Sequence, residues 1–447
     1  MGKPSFVLIF SDQQRWDSLG CYGNVFTHTP HLDRFAKAGV RFDACVTPWP
    51  LCTPARASLW TGLYPHAHGI TGNVYDARDA LAERREPSPT LFERLASAGY
   101  RNGYVGKWHL GSERPQGIDD WDSFNSLGGH WVDADEGGTE TVYRPEAEID
   151  KALAFLRASE ADSAPFSLTI SLYPPHDPFT APPEAFAHYR GKGIPFAGYY
   201  AAVTAVDSVV GRLLDAIENH PRRDDIVVLY FSDHGESFFY RCHISHKRTC
   251  HEEAIRVPLI IGGGRNHVSG EHTVAMPVNL VDVTPTLCDL AGAPCEPGIH
   301  GRSLAPWLRG RSPADWRTDS YVQNIRPRAQ EIISLDPLDV RVVGPFAERC
   351  IRTSEWKLVL SDGGAHALYD LVADPEEELD LYGAPRADEH NRYRNIPDTS
   401  DVVRGLAQRL VERAAAIGDD LGVRLAEKAL SAPIAAHDWG PAPAETE

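Results

Sequence analysis

The stretch Ser5-Phe6-Val7-Leu8-Ile9-Phe10-Ser11-Asp12-Gln13 joins an apolar, β-favouring run to a carboxylate and an amide. The same arrangement recurs in the runs 101–105, 166–172 and 226–231, which lead into Lys107-Trp108-His109, His176-Asp177 and Asp233-His234. Apolar, β-branched runs alternating with helical patterns predict an α/β fold, a large, mainly parallel sheet sandwiched by helices. In such sheets ligands bind beyond the carboxyl ends of the strands, so four reactive clusters after four strands predict a single crevice.

Working outward, helical spacing marks 199–217, with Val203, Val206, Val209, Val210, Leu213 and Leu214 on one face, and also 400–417. Beyond Pro345 the pattern shortens to candidate strands at 349–353 and 356–360, followed by the acidic run Asp374-Pro375-Glu376-Glu377-Glu378-Leu379-Asp380. The expected division is a catalytic domain over 1–345 and a smaller C-terminal α+β domain over 346–447, an antiparallel sheet plus a helix. Residues 384–401 read as a loop and the Ala, Pro and Glu rich end as a mobile tail. Residues 73–88, 112–143 and 320–348 read as loops that shape the crevice, with Trp121, Trp131 and Tyr143 as candidates for an aromatic wall or for core.

A chain of 447 residues exceeds what one core usually serves, in keeping with two domains. Its hydrophobic content of 42% is ordinary, and no run approaches the roughly 18 apolar residues that span a bilayer, so no membrane role is expected. A formal charge of −18 argues against nucleic acid as a partner. An anionic small molecule stays admissible, because screening over about 8 Å lets cations inside a pocket outweigh scattered surface carboxylates. The start Met1-Gly2-Lys3-Pro4-Ser5 is wrongly built for a secretory signal, so the chain reads as cytoplasmic and its eight cysteines as thiols. Oligomeric state is left open, a homo-oligomer included.

The segment Pro50-Leu51-Cys52-Thr53-Pro54-Ala55-Arg56-Ala57-Ser58-Leu59-Trp60-Thr61-Gly62 carries the chemistry. Pro54 suits a first helical turn, which places Cys52 at a helix start where negative charge is favoured, with Arg56 one turn on as a fixed cation. The run resembles the signature of type I sulfatases, in which the cysteine of Cys-X-Pro-X-Arg is oxidised to formylglycine. The segment Gly99-Tyr100-Arg101-Asn102-Gly103-Tyr104-Val105-Gly106-Lys107-Trp108-His109 is similar to the second signature of that family, with Asn102 where Ser or Thr is usual. Asp12, Phe231-Ser232-Asp233-His234-Gly235-Glu236, Lys247, Glu252 to Pro258 and Leu368-Tyr369-Asp370-Leu371 extend the likeness over nearly the whole chain.

The resemblance implies an alkaline phosphatase-like fold and hydrolysis of sulfate monoesters (aryl, alkyl or sugar) through oxidised Cys52. It assigns a divalent metal to Asp12, Gln13, Asp233 and His234, calcium first, with manganese or magnesium as alternatives because His234 adds a nitrogen to a less charged set. It gives catalytic roles to Cys52, Arg56, His109, His176, Asp233 and Lys247, and substrate contacts to Lys107, Asn73, His176 and Lys247. Asp233 would take the proton of the attacking hydroxyl, the alcohol would leave past His176 and Lys247, and His109 would assist release of sulfate. A formylglycine-generating maturation enzyme is an implied partner.

The alternative is a phosphonate monoester or phosphate diester hydrolase, which resembles this chain in the Asp-Gln and Asp-His pairs; the Lys107-X-His109 pair favours sulfate. Choline sulfatase is similar in the same pairs. A non-catalytic relative that keeps the fold would need a broken site, and none of these positions is broken. Cys242-His243, His246 and Cys250-His251 lack the paired Cys-X-X-Cys form of a zinc site and enclose Lys247, so they read as a loop over the pocket. His66 and His68, near Asn73, are candidates to line it.

Overall fold

The computed structural model describes residues 2–126, 128–133, 141–241, 245–326, 329–332, 340–343, 345–382 and 399–431. The chain divides into two compact units, one of residues 1–249 and 253–317 and one of residues 250–252 and 318–447.

The larger unit is built on an eight-stranded sheet: β1 (Ser5–Asp12), β2 (Val40–Phe42), β3 (Arg101–Lys107), β4 (Asp120–Phe124), β5 (Phe166–Pro175), β6 (Ile226–Ser232), β7 (Leu259–Gly263) and β8 (His272–Val274). Their order across the sheet is β8-β2-β7-β6-β1-β5-β3-β4. The pairings β1·β5, β1·β6, β3·β5, β3·β4 and β2·β8 are parallel, whereas β7 runs antiparallel to both its neighbours. β1 is buried along its whole length. Phe6, Leu8 and Phe10 enter the apolar core on one face, while Val7 and Ile9 enter the core on the other, where Val203, Val206, Val210 and Leu213 of the helix Ala197–Glu218 meet them. A strand covered on both faces needs a continuous apolar run, which is why its sequence lacks the alternation of a half-exposed strand.

Register then positions the chemistry. Ser11 lies opposite Ser232 of β6, and a bulge after Ser11 on the β5 side turns Asp12 out at the sheet's carboxyl edge. Asp233 follows directly and donates its N–H to the Ser11 carbonyl at 3.3 Å. The expected strands and the 199–217 helix are thus present, each with slightly longer bounds.

The smaller unit carries the antiparallel sheet β9 (Ser320–Arg326), β10 (Phe346–Arg352), β11 (Trp356–Ser361) and β12 (Ala367–Asp370), with the helices Ser400–Ala416 and Asp420–Ser431. It begins at 318 and not at 346 because β9 pairs with β10 along its length, Ser320 facing Arg352 and Arg326 facing Phe346. The stretch 320–348, expected as a loop, therefore opens with a strand, and the short strands Ala329–Ile332 and Val340–Val343 form a further pair. Within this unit Glu252 accepts from Arg352 Nε and Nη2 at 2.9 and 2.8 Å and from Lys357 Nζ at 3.3 Å, so a buried acid is matched by buried cations. The expected loop at 384–398 and the terminal tail lie outside the described residues. Among the described residues no helix is long and apolar enough to cross a membrane.

Candidate active site

The site assembles at the carboxyl edge of the large sheet from the ends of β1, β3, β5 and β6 and from the helix Cys52–Thr61, every residue of which is buried. That helix begins at Cys52 as expected and ends at Gly62, whose φ of 70° is a left-handed conformation that favours glycine. The Thr53 N–H is taken by Asn73 Oδ1 at 3.1 Å, and Asn73 Nδ2 donates to the Tyr75 hydroxyl at 3.1 Å. Asn73 thus holds the start of the helix.

Cys52 Sγ lies 3.1 Å from His234 Nε2, 3.2 Å from Lys247 Nζ, 3.5 Å from Asp12 Oδ1 and 3.9 Å from Lys107 Nζ. Burial alone would raise the thiol's pKa, but the charges of Lys107, Lys247 and His234 overturn this and hold it well below its ordinary value. Lys107 Nζ donates to Asp12 Oδ2 at 2.6 Å and sits 4.5 Å from the centre of the Tyr173 ring. Lys247 Nζ donates to Gln13 Oε1 and lies 3.3 Å from His176 Nε2.

Arg56, close enough to Cys52 to feel its charge, spends its hydrogen bonds on other groups. Its Nε donates to Asp233 Oδ2 and its Nη2 to Asp12 Oδ2, both at 2.9 Å, while Nη1 donates to the Lys107 carbonyl at 2.6 Å and Ser171 Oγ at 2.8 Å. The guanidinium is therefore consumed by the carboxylates and the backbone, and it positions other groups. Asp12 is held below the usual carboxyl range, burial and Cys52 being outweighed by Lys107, His176 and Arg56. Burial and Asp12 push Asp233 up.

The ligand atoms of Asp12, Cys52, Asp233 and His234 all lie within 4.8 Å of one another. Two buried carboxylates in mutual repulsion fit a cation between them. His234 fits as well, because its Nδ1 is committed to the Gly235 carbonyl at 2.9 Å, which leaves Nε2 facing the cluster. Gln13 adopts a φ of 66° and its Nε2 donates to Glu236, which fixes Oε1 as the inward atom of the amide. Glu236 also accepts from the Phe238 N–H at 2.5 Å and pairs with His246 Nδ1 at 3.1 Å. Glu236 stands in the same run as Asp233, but no residue pattern announces its bonds to Gln13 and His246.

His109 is buried with φ 59°, and its ring faces Cys52, the side chain with which it interacts. Burial and Lys107 bring its pKa down to about 4, so it is neutral at neutral pH and able to accept a proton. His176 Nδ1 is held by the Asp177 carbonyl at 2.9 Å and carboxylate at 3.0 Å, which directs Nε2 toward Lys247.

Other candidates fall elsewhere. His68 is buried against Ser58 Oγ at 2.9 Å, and His66 stacks on His300. Trp121 packs on Tyr104 and Trp108, and Tyr143 is buried, so of the proposed aromatic wall Trp131 alone is exposed. Asn102 is structural, its Nδ2 donating to the Phe92 and Gly117 carbonyls. Cys242 and His243 lie outside the described residues. His246 is engaged by Glu236, whereas Cys250 contacts Glu348 and His251 the Tyr369 hydroxyl.

Residues 4–293 match the sulfatase family, and residues 241–395 match the C-terminal region of N-sulphoglucosamine sulphohydrolase. An ulvan-active sulfatase of Formosa agariphila is 30% identical over 86% of this chain and 78% of its own length. A solved structure bound to its substrate D-glucosamine-2-N,6-O-disulfate covers 96% of this chain and 100% of its own, with a TM-score of 0.75 at 24% identity. The phosphonate monoester hydrolase of Agrobacterium radiobacter covers 93% of this chain and 96% of its own, with a TM-score of 0.71 at 20% identity. At such identities the two structures speak for the fold alone. The chain belongs to the sulfatase family. It is a sulfuric ester hydrolase, and the phosphonate alternative is not favoured.

Proposed function

We propose that Cys52, oxidised to formylglycine by a maturation enzyme, is the nucleophile with which this chain splits sulfate monoesters into alcohol and inorganic sulfate. The observation that carries the reading is the buried meeting of Cys52 with Asp12, Asp233 and His234 under the ammonium groups of Lys107 and Lys247. A thiolate sulfated on its one sulfur has no internal route of release, whereas the hydrated aldehyde supplies a second hydroxyl. A divalent cation held by Asp12, Gln13, Asp233 and His234, calcium before manganese or magnesium, supplies Lewis-acid polarisation.

The chain's own residues do the rest. Arg56 holds the two carboxylates in place, and Lys107 and Lys247 offer fixed donors to the sulfate oxygens, where negative charge gathers. Asp233, pushed up by burial and Asp12, accepts the proton of the attacking hydroxyl. Lys247 and His176, 3.3 Å apart, face the departing oxygen and supply its proton. Neutral His109, whose ring interacts with Cys52, takes a proton as sulfate is released.

The test is direct. Mass analysis of the peptide around Cys52 should show an aldehyde or its hydrate in active protein, and Cys52→Ala should abolish sulfate release from 4-nitrophenyl sulfate. Retention of most activity by Cys52→Ala in metal-replete protein would refute the covalent reading. Assay against phenyl phosphonate esters should give the lower turnover of the two.

A further inference from the structure

We infer that Phe179, Phe196, Phe238 and Phe239 form a subsite that binds the leaving group through a flat apolar ring, selecting aryl sulfates over sugar sulfates. This deepens the hydrolase reading and rests on it. Phe196 and Phe238 stack with centroids 3.9 Å apart at 6°, and Phe179 meets Phe238 edge-on at 5.9 Å. Phe239 and Phe179 both contact the His246 ring, at 3.8 and 5.9 Å. His246 immediately precedes Lys247, whose ammonium touches both Cys52 and His176. Glu236 ties the cluster to the site, since it pairs with His246 and accepts from Gln13, whose Oε1 in turn accepts from Lys247.

All four phenylalanines have positive φ, from 50° to 63°. Bulky residues rarely adopt this conformation, and such strain persists where surrounding structure imposes it, commonly at functional sites. Gln13 and His109, both in the site, share the feature. Phe196 is nonetheless 52% exposed and Phe239 40% exposed, so the strained backbone presents ring surface to solvent. Tyr75, 65% exposed, adds a further ring 5.6 Å from His109.

The chemistry of the neighbours separates an aryl ring from a sugar. A sugar needs hydrogen-bonding side chains around its hydroxyls, yet among the described residues Glu236, His246 and Arg15 are engaged with neighbours. Glu236 serves Gln13, His246 and the Phe238 N–H, while Arg15 serves Asp17 and the Glu236 carbonyl. What remains on offer is aromatic face, which suits offset or edge stacking of a planar ring.

The experiment compares 4-nitrophenyl sulfate, ethyl sulfate and glucosamine 6-sulfate on wild type, Phe239→Ala and Phe239→Tyr. Phe239→Ala should lower the kcat/KM ratio of the aryl over the ethyl ester about threefold to tenfold, chiefly through KM, and Phe239→Tyr should restore it. An unchanged ratio, or a greater loss with the sugar ester, overturns the subsite. If wild type with oxidised Cys52 hydrolysed no sulfate ester, the hydrolase reading would fail separately. Calorimetric titration of 4-nitrophenyl sulfate into Cys52→Ala with and without Phe239→Ala would then decide the subsite, weaker binding supporting it and equal binding overturning it.

Discussion

Arg56 Nε stands 2.9 Å from Asp233 Oδ2, and neither side chain reaches solvent. Because the same guanidinium also holds Asp12 at 2.9 Å, a single cation holds together two carboxylates that would otherwise repel. Arg56→Ala should therefore cost about 3–5 kcal/mol of folding stability, the penalty for leaving a buried ion pair half made. Arg56→Lys should recover part of it, since an ammonium cannot serve both carboxylates and the Lys107 carbonyl in one plane. Urea denaturation of the two variants checks the order, and equal stabilities for all three proteins would show that the guanidinium is not the brace.

His109→Ala should lower kcat about 10²- to 10⁴-fold and KM with it, leaving kcat/KM near its original value because only the release of sulfate is slowed. Its imidazole is neutral and interacts with Cys52 itself, so the loss should fall on proton transfer and not on folding. Rapid mixing with 4-nitrophenyl sulfate should show one equivalent of phenol released quickly and further turnover stalled. A variant that slows the first equivalent as much as later ones would move His109 to the leaving-group step.

Removal of divalent metal should lower both activity and melting temperature. A ligand that binds only the folded state stabilises it by about 2.7 kcal/mol at a hundredfold excess over its dissociation constant. Reloading chelated protein with calcium, manganese or magnesium in turn, with bound metal measured by elemental analysis, should restore the transition. His234→Ala should weaken manganese more than calcium, since calcium prefers oxygen. A melting temperature indifferent to chelation and reloading would remove the metal from the site.

Asp12 and Asp233 could be placed together from sequence because each ends a fully buried strand, and parallel strands present their carboxyl ends on one edge. Cys52 could be placed at a helix start from Pro54 alone. The target of Arg56 could not, because its direction is set by the Lys107 carbonyl and Ser171, which belong to other strands. Likewise Glu236 acts on Gln13 only because Gln13 takes a left-handed backbone that no periodicity announces. Strand direction is equally silent in residue pattern: Leu259–Gly263 reads the same whether it runs parallel or antiparallel. The start of the smaller unit was missed for a related reason, since Ser320–Arg326 is a strand by virtue of its distant partner Phe346–Arg352.

Glu148 carries the remaining prediction. It lies beneath the strand that delivers Lys107, and a Cβ placed on Gly106 would come within 3.3 Å of its Oε1. Both its carboxyl oxygens are buried without a hydrogen-bond partner, and burial pushes its pKa up to about 8 against the attraction of Arg144 and Lys151. The folded value thus exceeds the unfolded one of about 4.3, so the fold favours the neutral acid. The associated stability is complete below pH of about 4.3 and is lost as pH rises through about 8. Glu148→Gln keeps the shape without the charge, so its advantage in melting temperature over wild type should be smallest near pH 5 and grow toward pH 9. A difference that stays flat across that range would mean that Glu148 is ionised throughout and that a partner for it remains to be found.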